Sequence, residues 1–329
     1  MGISVEDVED KEAGGAPPRR RRRRRWLSWT VVAGLAGWAV VRVGGLEAGS
    51  FLTQLVTVTP LGAVLALLVA LLVVRRNRPA ALVALVACVL MAAVVAPRAF
   101  AVGERPVGGV PFRVLTINLF GRADPQTVVE LVRRLRPDVF SALELTPRAV
   151  AALDAAGLAE LMPHRVLEAD HGATGSGLYA RHPLTALPDL FTPIGHNMPA
   201  AALTLPSGGR VEVVAVHPNP PLGRKTAGWY ASLAALPGPS PDAVRVLAGD
   251  FNASLDHRAF RELLDRGYVD AARQVGMGLT PTWPNRAVPP FITIDHVLVD
   301  ERAGVREVEV VDVPRTDHRG VYAELRLPG

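Results

Sequence analysis

Three long apolar stretches without a charged residue follow a run of arginines, and this feature limits the fold more than any other. Arg19 to Arg25 are seven consecutive arginines. Behind them Trp26 to Val41 runs sixteen residues without a charge, Phe51 to Val74 twenty-four, and Pro79 to Pro97 nineteen. A bilayer core takes about 20 apolar residues in helical form, which the second and third stretches supply. The first suffices with Arg42 snorkelling and with Trp26 and Trp29 at the interface. Buried helices of a water-soluble protein do not call for such uncharged lengths, and a cleaved signal peptide accounts for the first stretch alone. The expectation is a three-span transmembrane anchor at about 26–43, 51–74 and 79–97.

Arginine placement orients that anchor. The Arg19–Arg25 run precedes the first span, and Arg75, Arg76 and Arg78 lie between the second and third. The other side holds only Arg42, then Arg98 and Arg105. The positive-inside bias therefore predicts a cytoplasmic N-terminus, with everything after about residue 98 extracytoplasmic and the lipid bilayer as a partner. Residues 1–25 read as a disordered tail ending in the arginine run, residues 98–110 as a Gly/Pro-containing linker, and residues 111–329 as a separate domain.

Charge then weighs against a class of function. The whole chain has 36 Lys and Arg against 31 Asp and Glu, a balance that suggests a nucleic-acid binder. Residues 1–110 hold 14 and 7 of these; residues 111–329 hold 22 and 24. The outer domain is slightly acidic, so strong duplex binding has little electrostatic support. Cys88 is the sole cysteine, so an intrachain disulfide is excluded.

From Pro111 onward short apolar runs alternate with helical patterns. "FRVLTINLF", "DVFSALEL", "GSGLYAR", "AALTL", "VEVVAVH", "AVRVLAGD", "ITIDHVLVD", "VREVEVVDV" and "GVYAELRL" read as strands. "DPQTVVELVRRLRP", "PRAVAALDAAGL" and the segments around 225–236 and 257–266 read as helices. The pattern predicts an α/β or α+β domain with a sheet core.

Polar side chains fall at the strand ends. Asn118 closes the first strand, Glu144 the second and His217 a later one; Asp250 and Asn252 follow "RVLAG". Asp295 and His296 sit in "ITIDHVLV", and Asp317 and His318 in the loop before the last strand. Each taken singly suits a turn or a solvated pair. Glu144 is the exception, because a carboxylate in an apolar strand needs a partner or a metal. Together they suit a hard divalent cation and a phosphate: Mg²⁺ takes oxygen ligands, and phosphoester hydrolysis needs an activated water and charge neutralisation.

The ordered set "TINLF", "ALE", "GSGLYAR", "VHPNPP", "GDFNA", "TWP", "IDHVLV" and "TDHRGV" resembles the endonuclease/exonuclease/phosphatase (DNase I-like) superfamily over about residues 111–328. That resemblance implies a four-layer αββα sandwich, here preceded by the three transmembrane helices. It implies Mg²⁺, or Mn²⁺ in its place, held by Glu144 with Asn118 and Asp317 nearby. It further implies that Asp250 orients or deprotonates the attacking water and that Asn252 hydrogen-bonds the phosphate. His318, held by Asp295, would contact the phosphate, and His217 would contact it or protonate the leaving oxygen. His296 reads as structural, and Trp283 as a residue that orders the site loop. The layout of arginine run, spans and outer domain resembles membrane-anchored actinobacterial members, including the teicoplanin-resistance type. From this the expected activity is a metal-dependent phosphodiesterase or phosphatase on lipid-linked or cell-envelope phosphates, with no protein partner evident. A membrane-tethered nuclease and a non-catalytic resistance or binding module are the alternatives.

Overall fold

The computed structural model describes residues 19–103, 108–206, 208–285 and 289–328; residues 1–18 of the tail expected over 1–25 lie outside them. Four helices come first: α1 (Arg19–Gly44), α2 (Gly49–Thr57), α3 (Thr59–Val73) and α4 (Arg78–Val95). The arginine run is helical and continuous with α1, so the expected disorder does not extend over Arg19–Arg25. Alanines form the seam between helices, with Ala63, Ala66, Ala84 and Ala87 buried. At Gly62 an added Cβ would lie 2.8 Å from the Trp38 ring, so α1 and α3 touch through a residue with no side chain. The outward faces carry exposed Leu67, Leu71, Leu82 and Val89.

By length and apolarity α1 and α4 suffice to cross a bilayer. The expected middle span is different. It breaks into α2 and α3, bent 75° apart, and the fifteen residues of α3 reach only about 22 Å. Asn77 Nδ2 donates to Ser28 Oγ at 2.9 Å, which puts the α3–α4 turn and its arginines at the same end of the bundle as the arginine run.

The outer domain is built on two six-stranded sheets. Its elements in order are β1 (Val110–Asn118), α5 (Pro125–Leu135), β2 (Val139–Leu143), α6 (Pro147–Ala155), α7 (Leu158–Leu161), β3 (His164–Glu168), β4 (Ser176–Ala180), β5 (Leu184–Ala186), β6 (Ala200–Thr204) and β7 (Arg210–Val216). Then come α8 (Thr226–Ala235), β8 (Val244–Asp250), α9 (Arg258–Leu264), β9 (Tyr268–Asp270), α10 (Ala271–Gln274), β10 (Asp295–Asp300), β11 (Gly304–Val311) and β12 (Gly320–Leu327). One sheet has the order β11-β12-β1-β2-β4-β3 and the other β5-β6-β7-β8-β10-β9. The pairs β1–β2 and β7–β8 are parallel, and the remaining neighbours are antiparallel.

Two-sided burial explains the layers. Alternate residues of the central strands, such as Val114 and Val139 in one sheet and Val213 and Val246 in the other, meet in a core between the sheets. Their other faces receive helices. Asp124 caps α5 through the Thr127 N–H at 2.9 Å, and the helix then buries Val128, Val129, Leu131 and Val132 against Phe140 and Tyr179. Trp229 and Leu233 of α8 and Phe260 of α9 bury against Val214, Val216 and Leu247. Each side chain of this size contributes about 1.5–3 kcal/mol by leaving water. The result is the expected αββα sandwich.

The anchor is packed against this sandwich. Arg98, in the turn after α4, and Arg42, near the end of α1, both reach the buried carboxylate of Asp256. Ala101 makes a bridge with Val275. The expected linker is therefore docked over its first residues; its residues 104–107 lie outside those described.

Candidate active site

Strand direction gathers the polar residues at one edge. Because β1 and β2 are parallel, Asn118 and Glu144 emerge side by side; β7 and β8 do the same for His217 and Asp250. Antiparallel β10 starts where β8 ends, and its register sets Asp295 opposite Asp250. Antiparallel β12 brings the 312–319 loop to the same edge, where the Thr316 hydroxyl donates to the Asn118 carbonyl at 2.7 Å. At Gly249 an added Cβ would lie 1.9 Å from the Val216 carbonyl oxygen, so glycine is needed where β7 and β8 close on each other.

Two of the gathered residues leave their strands through a left-handed backbone. Glu144 has φ +50° and Asn252 φ +48°. Asparagine tolerates this region, whereas glutamate has no local compensation, and such strain amounts to about 1–3 kcal/mol. The turn swings each side chain off the line of its strand and toward the edge.

The side chains form one connected cluster. Asn118 Nδ2 donates to Glu144 Oε1 at 3.2 Å and to Asp250 Oδ2 at 3.1 Å, while its own oxygen accepts from the Phe120 N–H at 3.0 Å. In this arrangement Asn118 positions the two carboxylates through its amide hydrogens. His318 Nδ1 bonds both oxygens of Asp295 at 3.0 and 3.1 Å, leaving Nε2 3.7 Å from Asp250 Oδ2. His217 Nε2 lies 3.8 Å from Asp250 Oδ2 and 4.0 Å from Glu144 Oε1. Asn252 gives its backbone N–H to Asp250 Oδ1 and one amide hydrogen to the Pro218 carbonyl. Asp317 sits further out, where its Oδ2 accepts from Trp283 Nε1 at 3.4 Å. His296 bonds Asp270 and the Ala253 carbonyl, a packing role away from the cluster.

Burial and charge set the proton inventory. Burial pushes the Glu144 and Asp250 carboxyls above their ordinary range, with Asn118 and His318 pulling the other way. Burial also pushes the His217 imidazole well below its usual value, so it is neutral at pH 7. Burial acts the same way on His318, but the carboxylates of Asp295 and Asp250 outweigh it and hold the imidazolium. The proton-carrying histidine of the site is thus His318.

The donor set fits a hard cation. Glu144 and Asp250 are carboxyl groups held above their ordinary range mainly by burial, a bias that a divalent ion beside them would reverse. Asp317 Oδ1 is buried and has no hydrogen-bond partner among the described residues, and the Asp317 charge is felt at Glu144. Asp250, Asp295 and His318 also place one ligand atom each within 4.8 Å of one another. Both Asp295 oxygens are already taken by His318, so that trio is an acid–base couple before it is a cation cage.

Sequence reading missed His196. Its Nδ1 lies 3.3 Å from His217 Nδ1, with Asn219 hydrogen-bonded to its side chain. "IGHNMP" carries no regular spacing to mark it, and its one signal is Gly195, which has φ +97° with the Asn219 amide packed where a Cβ would stand.

The fold is thus two layered mixed sheets with this polar cluster at one edge. The sequence model described as the endonuclease/exonuclease/phosphatase family matches residues 115–318, and the chain belongs to that family. Among curated proteins none matches the sequence. Among solved structures, an endonuclease/exonuclease/phosphatase from Beutenbergia cavernae DSM 12333 is 22% identical, with 67% of this chain and 72% of that one covered and a TM-score of 0.52. Humanized D. rerio TDP2 is 16% identical, covering 66% and 99%, with a TM-score of 0.54. D. rerio TDP2 complexed with single strand DNA product is 17% identical, again covering 66% and 99%, with a TM-score of 0.52. At these identities the likeness is one of fold.

Proposed function

We propose that this protein is a membrane-anchored, extracytoplasmic hydrolase of lipid-linked or cell-envelope phosphoesters that depends on Mg²⁺ or Mn²⁺. The observation that carries the chemistry is the convergence of Glu144, Asp250, His217 and the Asp295–His318 couple around one point at the sheet edge. Glu144, with the charge of Asp317 further out, would hold the cation, which supplies neutralisation of charge on the phosphate oxygens. Asp250 takes the proton of the attacking water, a task suited to a carboxyl that burial has raised toward neutrality. His318, oriented by Asp295, presents its charged Nε2–H to the phosphate as negative charge develops, and the free amide hydrogen of Asn252 does the same from the β8 side. His217 serves as a neutral hydrogen-bonding partner on the leaving-oxygen side, steadied by His196.

Orientation rests on the arginines. The run at Arg19–Arg25 and the arginines of the α3–α4 turn share one end of the bundle, and the catalytic domain lies at the other. The positive-inside bias makes the first end cytoplasmic.

A nuclease is the second reading, favoured by the likeness to a D. rerio TDP2 structure with a DNA product and disfavoured by the acid-leaning charge of residues 111–329. The test is hydrolysis by the full chain in lipid nanodiscs, with Mg²⁺ and with EDTA. Substrates are polyprenyl phosphates and pyrophosphates, sphingomyelin-type diesters, single-stranded RNA and plasmid DNA. Metal-dependent turnover of the lipids supports the proposal. Turnover confined to nucleic acid transfers the assignment to the nuclease, and none at all defeats both.

A further inference from the structure

Helix α2 is amphipathic the wrong way round for a helix in water. Its polar side faces the protein: Thr53 Oγ1 lies 3.1 Å from the Tyr230 hydroxyl, and Thr57 Oγ1 3.1 Å from His257 Nε2. Val56 is buried with them, but Phe51 projects from the opposite face, 76% exposed, with Leu55 half-buried on the same side. The helix runs directly into α3, which packs against the long apolar helix α4 and touches α1, and turns from it by 75°. A helix at that angle to a membrane-crossing bundle lies nearly along the bilayer surface.

The same helix is tied to the catalytic edge. The chain leaving β7 passes through His217 and, four residues on, reaches α2: the Pro221 carbonyl accepts from Ser50 Oγ at 3.3 Å and Gln54 Nε2 at 3.0 Å. The Gly223 N–H then donates to Ser50 Oγ at 2.9 Å. Between these contacts Leu222 is 55% exposed, and Arg224 and Lys225 follow, both exposed. The chain leaving β8 passes Asn252 and, four residues on, reaches the arginine clamp at Asp256. Two of the strands that deliver catalytic residues, β7 and β8, are thus tied to the anchor within one short loop.

We propose that α2 and the Leu222–Lys225 turn form a single bilayer-seating surface, with Phe51, Leu55 and Leu222 in the headgroup–acyl boundary and Arg224 and Lys225 on lipid phosphates. This surface fixes the catalytic edge at headgroup height. It selects phosphates carried by lipids of the adjacent leaflet over phosphates dissolved in water. The occupant is the bilayer because the exposed face is continuous with helices that lie in it and is flanked by cations that complement anionic headgroups.

The selectivity half of this inference rests on the proposed hydrolase activity; the seating half does not. Seating is read with an environment-sensitive NBD label on Phe51→Cys in a Cys88→Ala background, the full chain being reconstituted in phosphatidylcholine/phosphatidylglycerol vesicles. The expected result is blue-shifted emission quenched by spin-labelled lipid and protected from aqueous iodide. Water-like emission quenched by iodide overturns the seating surface. Selectivity is read with Phe51→Asp and Leu222→Asp, whose side chains are exposed and so leave the fold intact. Turnover of undecaprenyl pyrophosphate embedded in the vesicles should fall at least tenfold, with turnover of water-soluble bis(p-nitrophenyl) phosphate unchanged. Equal loss on both substrates, or loss on neither, overturns the selectivity. If the wild-type chain cleaves the soluble diester but no lipid phosphate, the lipid assignment and the selectivity fail together, and the label still decides the seating.

Discussion

Asp256 holds Arg98 through two bonds, 2.6 and 2.7 Å long, and joins the end of the last apolar helix to the catalytic domain. Arg42 closes on the same carboxylate at 2.5 Å, and all three side chains are at least 94% shielded from water. Removing the carboxylate leaves two buried guanidinium groups without a counter-charge, which typically costs about 3–5 kcal/mol. Asp256→Ala should lower the denaturation midpoint of the full chain accordingly in detergent. Asp256→Ala combined with Arg42→Met and Arg98→Met should recover most of the loss, because apolar packing replaces the ions. Burial alone would raise the Asp256 pKa, but the two arginines outweigh it and hold it below its ordinary value. The stabilisation is therefore present above about pH 4 and lost as pH falls through the lower, folded-state value.

A fragment beginning at Gly108 lacks both arginines, leaving Asp256 and the α2-facing surfaces of α8 and α9 uncovered. It should be less stable than the same domain within the full chain, as read by limited proteolysis. Asp256→Asn should stabilise the fragment while destabilising the full chain; the same sign in both would show that the clamp does not join the two parts.

Asp250→Asn should separate activity from stability. Loss of the base should lower kcat by about 10²–10⁴-fold. Burial raises the Asp250 pKa in the folded state, so the charged carboxylate opposes folding once pH exceeds that of the unfolded chain. Without metal at pH 8 the variant should melt at the same temperature as the wild type or higher. A lower melting temperature would mean that the carboxylate is needed for structure.

Metal affinity should rise with pH. Glu144 is held above its ordinary value and Asp250 is raised to about 7, so protons compete with the cation across that interval. Mn²⁺ binding followed by electron paramagnetic resonance should tighten about tenfold or more from pH 5.5 to 8, with proton release on binding. Glu144→Gln should weaken it at every pH. An affinity flat across this range would remove Glu144 from the metal site and Asp250 from its neighbourhood.

Much of the fold was legible because its strands are long and uninterrupted. β1, β7, β8 and β12 each present seven to nine residues dense in Val, Leu and Ile, bounded by Gly, Pro or Asp. β3, β5 and β9 were missed, being three to five residues long and all at sheet edges, with patterns too short to show alternation. All eight expected site residues lie at the same sheet edge, with Asp317 outermost. His196 was invisible, since its role comes from lying beside a residue twenty-one positions away.

The division follows from the range of the forces. By itself the sequence determined the apolar helices, the alternation that lays two sheets face to face and the polar residues at strand ends, because each depends on side chains close along the chain. Only the tertiary structure decided that Phe51 to Val74 is two helices. Thr53 and Thr57 there hydrogen-bond Tyr230 and His257, partners about two hundred residues away, and hold α2 on the catalytic domain while α3 turns into the apolar bundle. No window along the chain contains both sides of that contact. The clamp at Asp256 is hidden for the same reason: three charges far apart in sequence become one buried cluster only when the sandwich and the anchor meet.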